Sequence, residues 1–196
     1  MSYITTYTEK HFDPVNPEIE LIDIKDIAHA LSLICRGNGQ VKSFFSVGQH
    51  CINAAKEAKL RGYSNRVILA CLIHDAGESY LSDVPRPLKP AMPEYIRTEN
   101  QLLDLIYEKF LGSPLTTEEA AQVKTIDNAL LYYDLKELLN EVSDNVEPEL
   151  HIKLNYEFVP FDLVEQEYLA LFYKYLGGEL CNKQKILQTE ACLAPW

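Results

Sequence analysis

The chain has no apolar run longer than the seven residues Val67–Ile73, far too few to cross a bilayer. Its N-terminus, Met1 to Lys10, shows no positive segment followed by an apolar one, so no secretory signal is expected. None of the five cysteines forms a CxxC pair; Cys35, Cys51 and Cys71 fall in apolar-periodic stretches, the pattern of buried thiols in a reducing cytoplasm. Basic residues are outnumbered, 18 Lys and Arg against 29 Asp and Glu, for a net charge of −11. A polynucleotide partner demands a basic surface, so none is expected, and the twelve tyrosines form no basic-aromatic stretch. A small phosphorylated ligand stays compatible, because a metal or a few local cations can reverse the field inside one pocket. There is no GxSxG elbow, no GxxxxGK[ST] loop and no GxGxxG turn, which removes the common nucleophile-elbow and nucleotide-loop classes. No repeat, low-complexity tract or Gly/Ser linker divides the 196 residues, a length suited to one domain.

What is present is helical periodicity. Ile27, Ala30, Leu31 and Ile34 lie at helix spacing behind Asp23 and Asp26. Val47, His50, Cys51, Ala54 and Ala58 form a second stripe between a Ser46 cap and a Gly62 stop. Residues 65–75 are predicted as a third helix, apolar on most sides and therefore central. A proline-rich loop follows from Asp83 to Pro90. Leu102 to Phe110 mark a fourth helix ending at Gly112, Thr117 opens a fifth, and Val164 to Tyr175 mark the last, closed by Gly177-Gly178. Strand alternation is weak, with Glu157–Phe161 as the one short candidate. The expected fold is all-α, one compact bundle.

Polar residues on the apolar stripes carry the chemistry. His50 falls on the stripe of Val47 and Cys51, His74 on that of Val67 and Cys71, and Asp127 between Val123 and Leu130. A lone histidine on such a face is ordinarily a satisfied core residue. A conjunction of His50, His74 and Asp127 on three helices, with Asp75 beside His74, is not, because unpaired buried charge is costly. Two imidazoles and two carboxylates suit a divalent transition metal with open positions for water and substrate. Glu78 lies four residues after His74 and would face the metal if the helix continued. Asp83 precedes the prolines; Arg36 follows an apolar helix before Gly37-Asn38-Gly39; Lys89 and Arg86 supply cations on the proline loop.

Ser46-Val-Gly-Gln-His50, Leu72-Ile-His-Asp-Ala-Gly-Glu78 and Asp127 together resemble the HD-domain metal-dependent phosphohydrolase superfamily. The likeness runs over roughly residues 3–176. It is closest to a subgroup of small hydrolases, many from bacteriophages, that includes dATP triphosphohydrolases and bacterial 5′-deoxynucleotidases; Ile22–Ser32, Ile34-Cys-Arg36 and His74–Lys89 carry it. The resemblance implies an HD-domain bundle over residues 1–178, followed by a tail at 179–196 with no assigned role. It implies His50, His74, Asp75 and Asp127 as ligands of Co²⁺, Zn²⁺ or Mn²⁺, with Mg²⁺ able to accompany the substrate phosphates. By the same resemblance Glu78 directs the attacking water, Asp83 assists the leaving group, and Arg36 and Lys89 contact phosphate. The implied substrate is a small deoxynucleotide cleaved at the α-phosphate, dATP foremost, with a 5′-deoxynucleotidase or a non-hydrolytic nucleotide sensor as alternatives. A homo-oligomer in the cytoplasm of a bacterium or phage-infected cell is implied as well. The chain departs from the subgroup at Gly37, where an aromatic is common, and at Gln40, where a histidine is. His29 matches a histidine common in the subgroup, with a core role or a substrate contact both open.

Overall fold

Helices form where the apolar stripes meet a residue able to cap them. Asp23 accepts from the Lys25 amide and opens α1 (Ile24–Leu33). Ser46 and Gln49 form a reciprocal capping box at α2 (Val47–Leu60), and Ser64 caps α3 (Asn65–Ile73). A single turn, α4 (Glu78–Leu81), precedes the proline loop. Helix α5 (Pro93–Leu111) starts on a proline, whose missing N–H costs nothing in the first turn, and stops at left-handed Gly112. Thr116 and Glu119 repeat the capping box at α6 (Thr117–Leu139), and α7 spans Phe161–Tyr175. The computed structural model describes residues 3–141, 144 and 146–176. The predicted stop at Gly177-Gly178 and the tail at 179–196 lie outside them.

The all-α expectation holds, with two corrections. Glu157–Phe161 is not a strand; Pro160 instead precedes the first turn of α7. The strands that do exist, β1 (Ile4–Thr5) and β2 (His11–Phe12), pair antiparallel with Ile4 opposite Phe12. Two residues each are too few to show alternation; the hairpin is anchored by fully buried Phe12, stacked on Tyr80 at 4.2 Å. The second correction is that α3 ends at Ile73, so His74 and Asp75 stand just past its end rather than on it.

Helix α3 is central: every residue from Val67 to Ile73 is buried, against α2, α6, α7 and α5. Helices α1, α2 and α7 close the other side. They approach tightly at Gly48, where a Cβ would lie 3.1 Å from Val164 Cγ1 and 3.2 Å from the Leu31 carbonyl oxygen. None of the described helices is long and apolar enough to cross a membrane.

One buried carboxylate ties the helices to the long connection before α7. Glu57 on α2 is fully buried. It accepts from Arg61 Nε at 2.7 Å, the His151 and Ile152 amides at 2.9 and 3.0 Å, and His151 Nδ1 at 3.0 Å. Burial alone would raise its pKa, but these donors, Arg61 and His151 first, hold it below the ordinary carboxylate value. The linked stability is therefore complete above the ordinary carboxylate range and lost as pH falls through the depressed value. Glu57→Gln is expected to cost about 1–3 kcal/mol at neutral pH, the scale of a hydrogen-bonded charged group. It should also flatten the acid limb of the stability curve. Urea melts of both proteins between pH 3 and 7 check this, and parallel curves would refute it.

Candidate metal centre

A helix end normally leaves carbonyls without partners. At the end of α3 they are used. The Cys71 carbonyl accepts from His74 Nδ1 at 2.8 Å, Leu72 from the buried Tyr168 hydroxyl at 2.7 Å, and Ile73 from the Ala76 amide at 3.0 Å. The first of these bonds puts a proton on His74 Nδ1 and leaves Nε2 as the nitrogen that faces the cluster. The chain then continues in tight i→i+3 turns, Glu78 N to Asp75 O and Ser79 N to Ala76 O, into α4.

His50 is 1% exposed on α2, and its Nδ1 donates to Asp134 Oδ2 at 2.9 Å. That again leaves Nε2 as the free nitrogen. The two Nε2 atoms face shared carboxylates. His50 Nε2 lies 3.3 Å from Asp127 Oδ1 and 3.9 Å from Asp75 Oδ2; His74 Nε2 lies 3.7 and 3.4 Å from the same atoms. Among the described residues neither Nε2 has a hydrogen-bond partner, although both are buried. Donor atoms of His50, His74 and Asp75 all lie within 4.8 Å of one another. These three form a cluster able to hold a metal ion, and Asp127 adjoins both imidazoles without belonging to that mutually close trio. Buried nitrogen lone pairs aimed between carboxylates are the donor set of a divalent transition ion, so the residues fit one.

The electrostatics agree. Burial opposes charge on His74, but Asp75, Cys51 and Asp127 hold its pKa well above the ordinary histidine value. Burial likewise opposes ionisation of Asp127 and Asp75, yet the imidazoles keep both carboxyls below the ordinary range. The site therefore attracts positive charge, whether protons or a cation.

Asp134 is the residue the sequence reading missed. It is 5% exposed and also accepts from the Tyr156 hydroxyl at 3.0 Å and Arg36 Nη2 at 3.3 Å. A signal existed: Asp134 lies seven residues after Asp127, two turns along the same face of α6. Such carboxylate–histidine pairs orient a ligand and raise its basicity. Asp134→Ala is expected to weaken Co²⁺ affinity by roughly 10–100-fold, the usual penalty for losing such a partner. Calorimetric titration of the metal-free protein measures it; unchanged affinity would remove the assigned role.

Arg36 reaches the centre, 3.4 Å from Asp75 Oδ2 through Nη1. A short antiparallel pairing holds it there: Arg36 N donates to Phe45 O and Val47 N to Ile34 O, both at 2.9 Å. Gly37, Asn38 and Gly39 follow with φ of 57°, 54° and 73°. Three successive left-handed residues explain the two glycines.

A cavity of about 480 Å³ opens beside the cluster, lined by His74, Asp75, Glu78, Lys89 and Asp127 with α5 residues Glu99, Asp104 and Tyr107. Glu78 is 6% exposed and its Oε2 has no hydrogen-bond partner among the described residues. Burial, then Asp75 and Asp83, push its carboxyl well above the ordinary value. Asp83 also acts on Arg36 by charge. Lys89 lines the cavity but is engaged, 2.8 Å from Glu99 Oε1. Arg86, 3.4 Å from Asp127 Oδ2, and Lys124, 2.8 Å from the same oxygen, flank the centre. His29 lies apart, stacked on Tyr7 at 3.7 Å with Nδ1 2.9 Å from Glu165 Oε2.

Fold and site thus define an all-α protein with a buried His/Asp cluster able to hold a metal. The chain belongs to the same family as the uncharacterized protein YfdR of Escherichia coli (strain K12). It is 35% identical to that protein over 140 residues, 70% of this chain and 73% of YfdR. It is also similar to the uncharacterized protein RCAP_rcc00048 of Rhodobacter capsulatus, 33% identical over 107 residues, 52% of this chain and 54% of that one. No family model matches the chain.

Proposed function

We propose that this protein is an HD-domain metal-dependent phosphohydrolase that cleaves a small deoxynucleotide at the α-phosphate, dATP to deoxyadenosine and triphosphate. The observation that carries the reading is the pair of buried Nε2 atoms, His50 and His74, left without partners between Asp75 and Asp127. Those four residues would hold Co²⁺, Zn²⁺ or Mn²⁺, and an ion there supplies Lewis acidity toward a phosphate oxygen and toward water.

The remaining work falls to the chain's own groups. Arg36 sets a fixed positive charge beside Asp75, where it offsets negative charge building on phosphorus. Glu78, buried and unpartnered at Oε2, accepts the proton of the attacking water. Asp83, before the prolines, returns a proton to the departing 5′-oxygen. Lys89 contacts phosphate once it exchanges Glu99 for the stronger anion.

A second reading, a 5′-deoxynucleotidase releasing orthophosphate from monophosphates, is favoured by the charge of the cavity. Asp75, Glu78, Glu99, Asp104 and Asp127 line it against Lys89 and Lys124 alone. A triphosphate tail there needs extra cations, such as Mg²⁺ bound with the substrate. Incubating Co²⁺- or Mn²⁺-loaded protein with a deoxynucleotide panel separates the readings by product. Triphosphate from dATP supports the first and orthophosphate from monophosphates the second. No turnover with any divalent metal removes both and leaves a nucleotide-binding module.

A further inference from the structure

A second cavity, of about 660 Å³, lies among the β1–β2 hairpin, α1 and α4. Ile4, Thr6, Tyr7, His29, Leu33 and Glu78 are among its walls. Its size falls in the ordinary range for small-molecule sites. Glu78 is among the lining residues of both this cavity and the one beside the His/Asp cluster, so the two are neighbours.

We propose that this groove receives the nucleoside part, base and deoxyribose, of a nucleotide whose phosphate sits at His50, His74 and Asp75; the assignment rests on the phosphohydrolase reading. Its chemistry is the opposite of a phosphate site. No lysine or arginine lines it, Asp26 is engaged by the Thr8 amide and hydroxyl, and His29 is engaged by Glu165. The cations belong to the metal side, at Arg36 and Lys89. An uncharged occupant is therefore selected here.

Its walls are apolar where solvent would be expected to favour polar groups. Ile4, Tyr7 and Leu33 are 39%, 59% and 45% exposed, and all three converge on this one groove. Tyr7 and His29 are stacked within 8° of parallel, a flat aromatic face that a nucleobase can extend.

The test uses full-length protein, titrated calorimetrically with deoxyadenosine, beside hydrolysis of p-nitrophenyl phosphate and of deoxynucleotides by the metal-loaded form. Ala30→Trp fills the groove from α1, and Tyr7→Ala removes the aromatic wall at an exposed position. Both should weaken deoxyadenosine binding and raise the deoxynucleotide KM by about tenfold or more, the scale of one lost stacking contact. Turnover of p-nitrophenyl phosphate, which has no nucleoside, should stay within about twofold in Tyr7→Ala, since Tyr7 is none of the groups assigned to phosphate, metal or water. Unchanged deoxyadenosine affinity in Tyr7→Ala overturns the proposal, as does a change confined to oligomeric state, which would make the groove an interface between copies. Deoxyadenosine binding that responds to both variants in a protein cleaving no phosphate ester would sink the phosphohydrolase reading and leave the groove assigned.

Discussion

Asp75→Ala is expected to abolish metal binding and hydrolysis together. Asp75 Oδ2 is the atom shared by most of the site: it lies 3.4 Å from His74 Nε2, 3.9 Å from His50 Nε2 and 3.4 Å from Arg36. Without it the mutually close trio has only its two imidazoles. Two imidazoles and Asp127 retain a divalent ion more weakly than the four groups together, and the several kcal/mol of transition-state stabilisation that an ion supplies correspond to roughly 10³-fold or more in rate. The fold should survive, because the side chain stands past the end of α3 and the α3 carbonyls have their own partners. Elemental analysis after dialysis, phosphate release and circular dichroism measure the three quantities. A variant that keeps a stoichiometric ion would contradict the assignment of Asp75 as a ligand.

Glu78→Ala is expected to separate what Asp75→Ala joins. Glu78 is not among the trio, so bound metal should remain. The rate should fall by about 10²-fold or more, the usual contribution of a positioned general base. The burial that makes Glu78 suitable also makes its removal mild for stability, since its Oε2 has no hydrogen bond to lose. Full activity of the alanine variant would withdraw its role, and loss of metal would move it into the ligand set.

The residues of the His/Asp cluster were legible because each interrupts a pattern. His50 and His74 break apolar stripes of known period, and Asp127 does the same on a helix with its own cap. Asp134 was harder. It is followed by Lys136 and Glu137, the setting of a solvated face, and its burial depends on Tyr156 from the irregular connection between α6 and α7. The engagement of Lys89 by Glu99 was equally hidden, since the pair spans the proline loop and α5.

The sequence by itself determined the helices, their caps and the polar side chains that had to point inward, because periodicity and capping act within a few residues of the chain. It did not determine where α3 ends. That depends on Tyr168, 96 residues away, donating to the Leu72 carbonyl and letting a buried helix close without a polar penalty. Nor did it show that both imidazoles spend Nδ1 on fixed acceptors, Cys71 O and Asp134, and so present Nε2 to the same two carboxylates. The Cys71 carbonyl stands three residues before His74, so that tautomer is set locally, whereas Asp134 reaches His50 Nδ1, at 2.9 Å, only through the packing of α2 against α6.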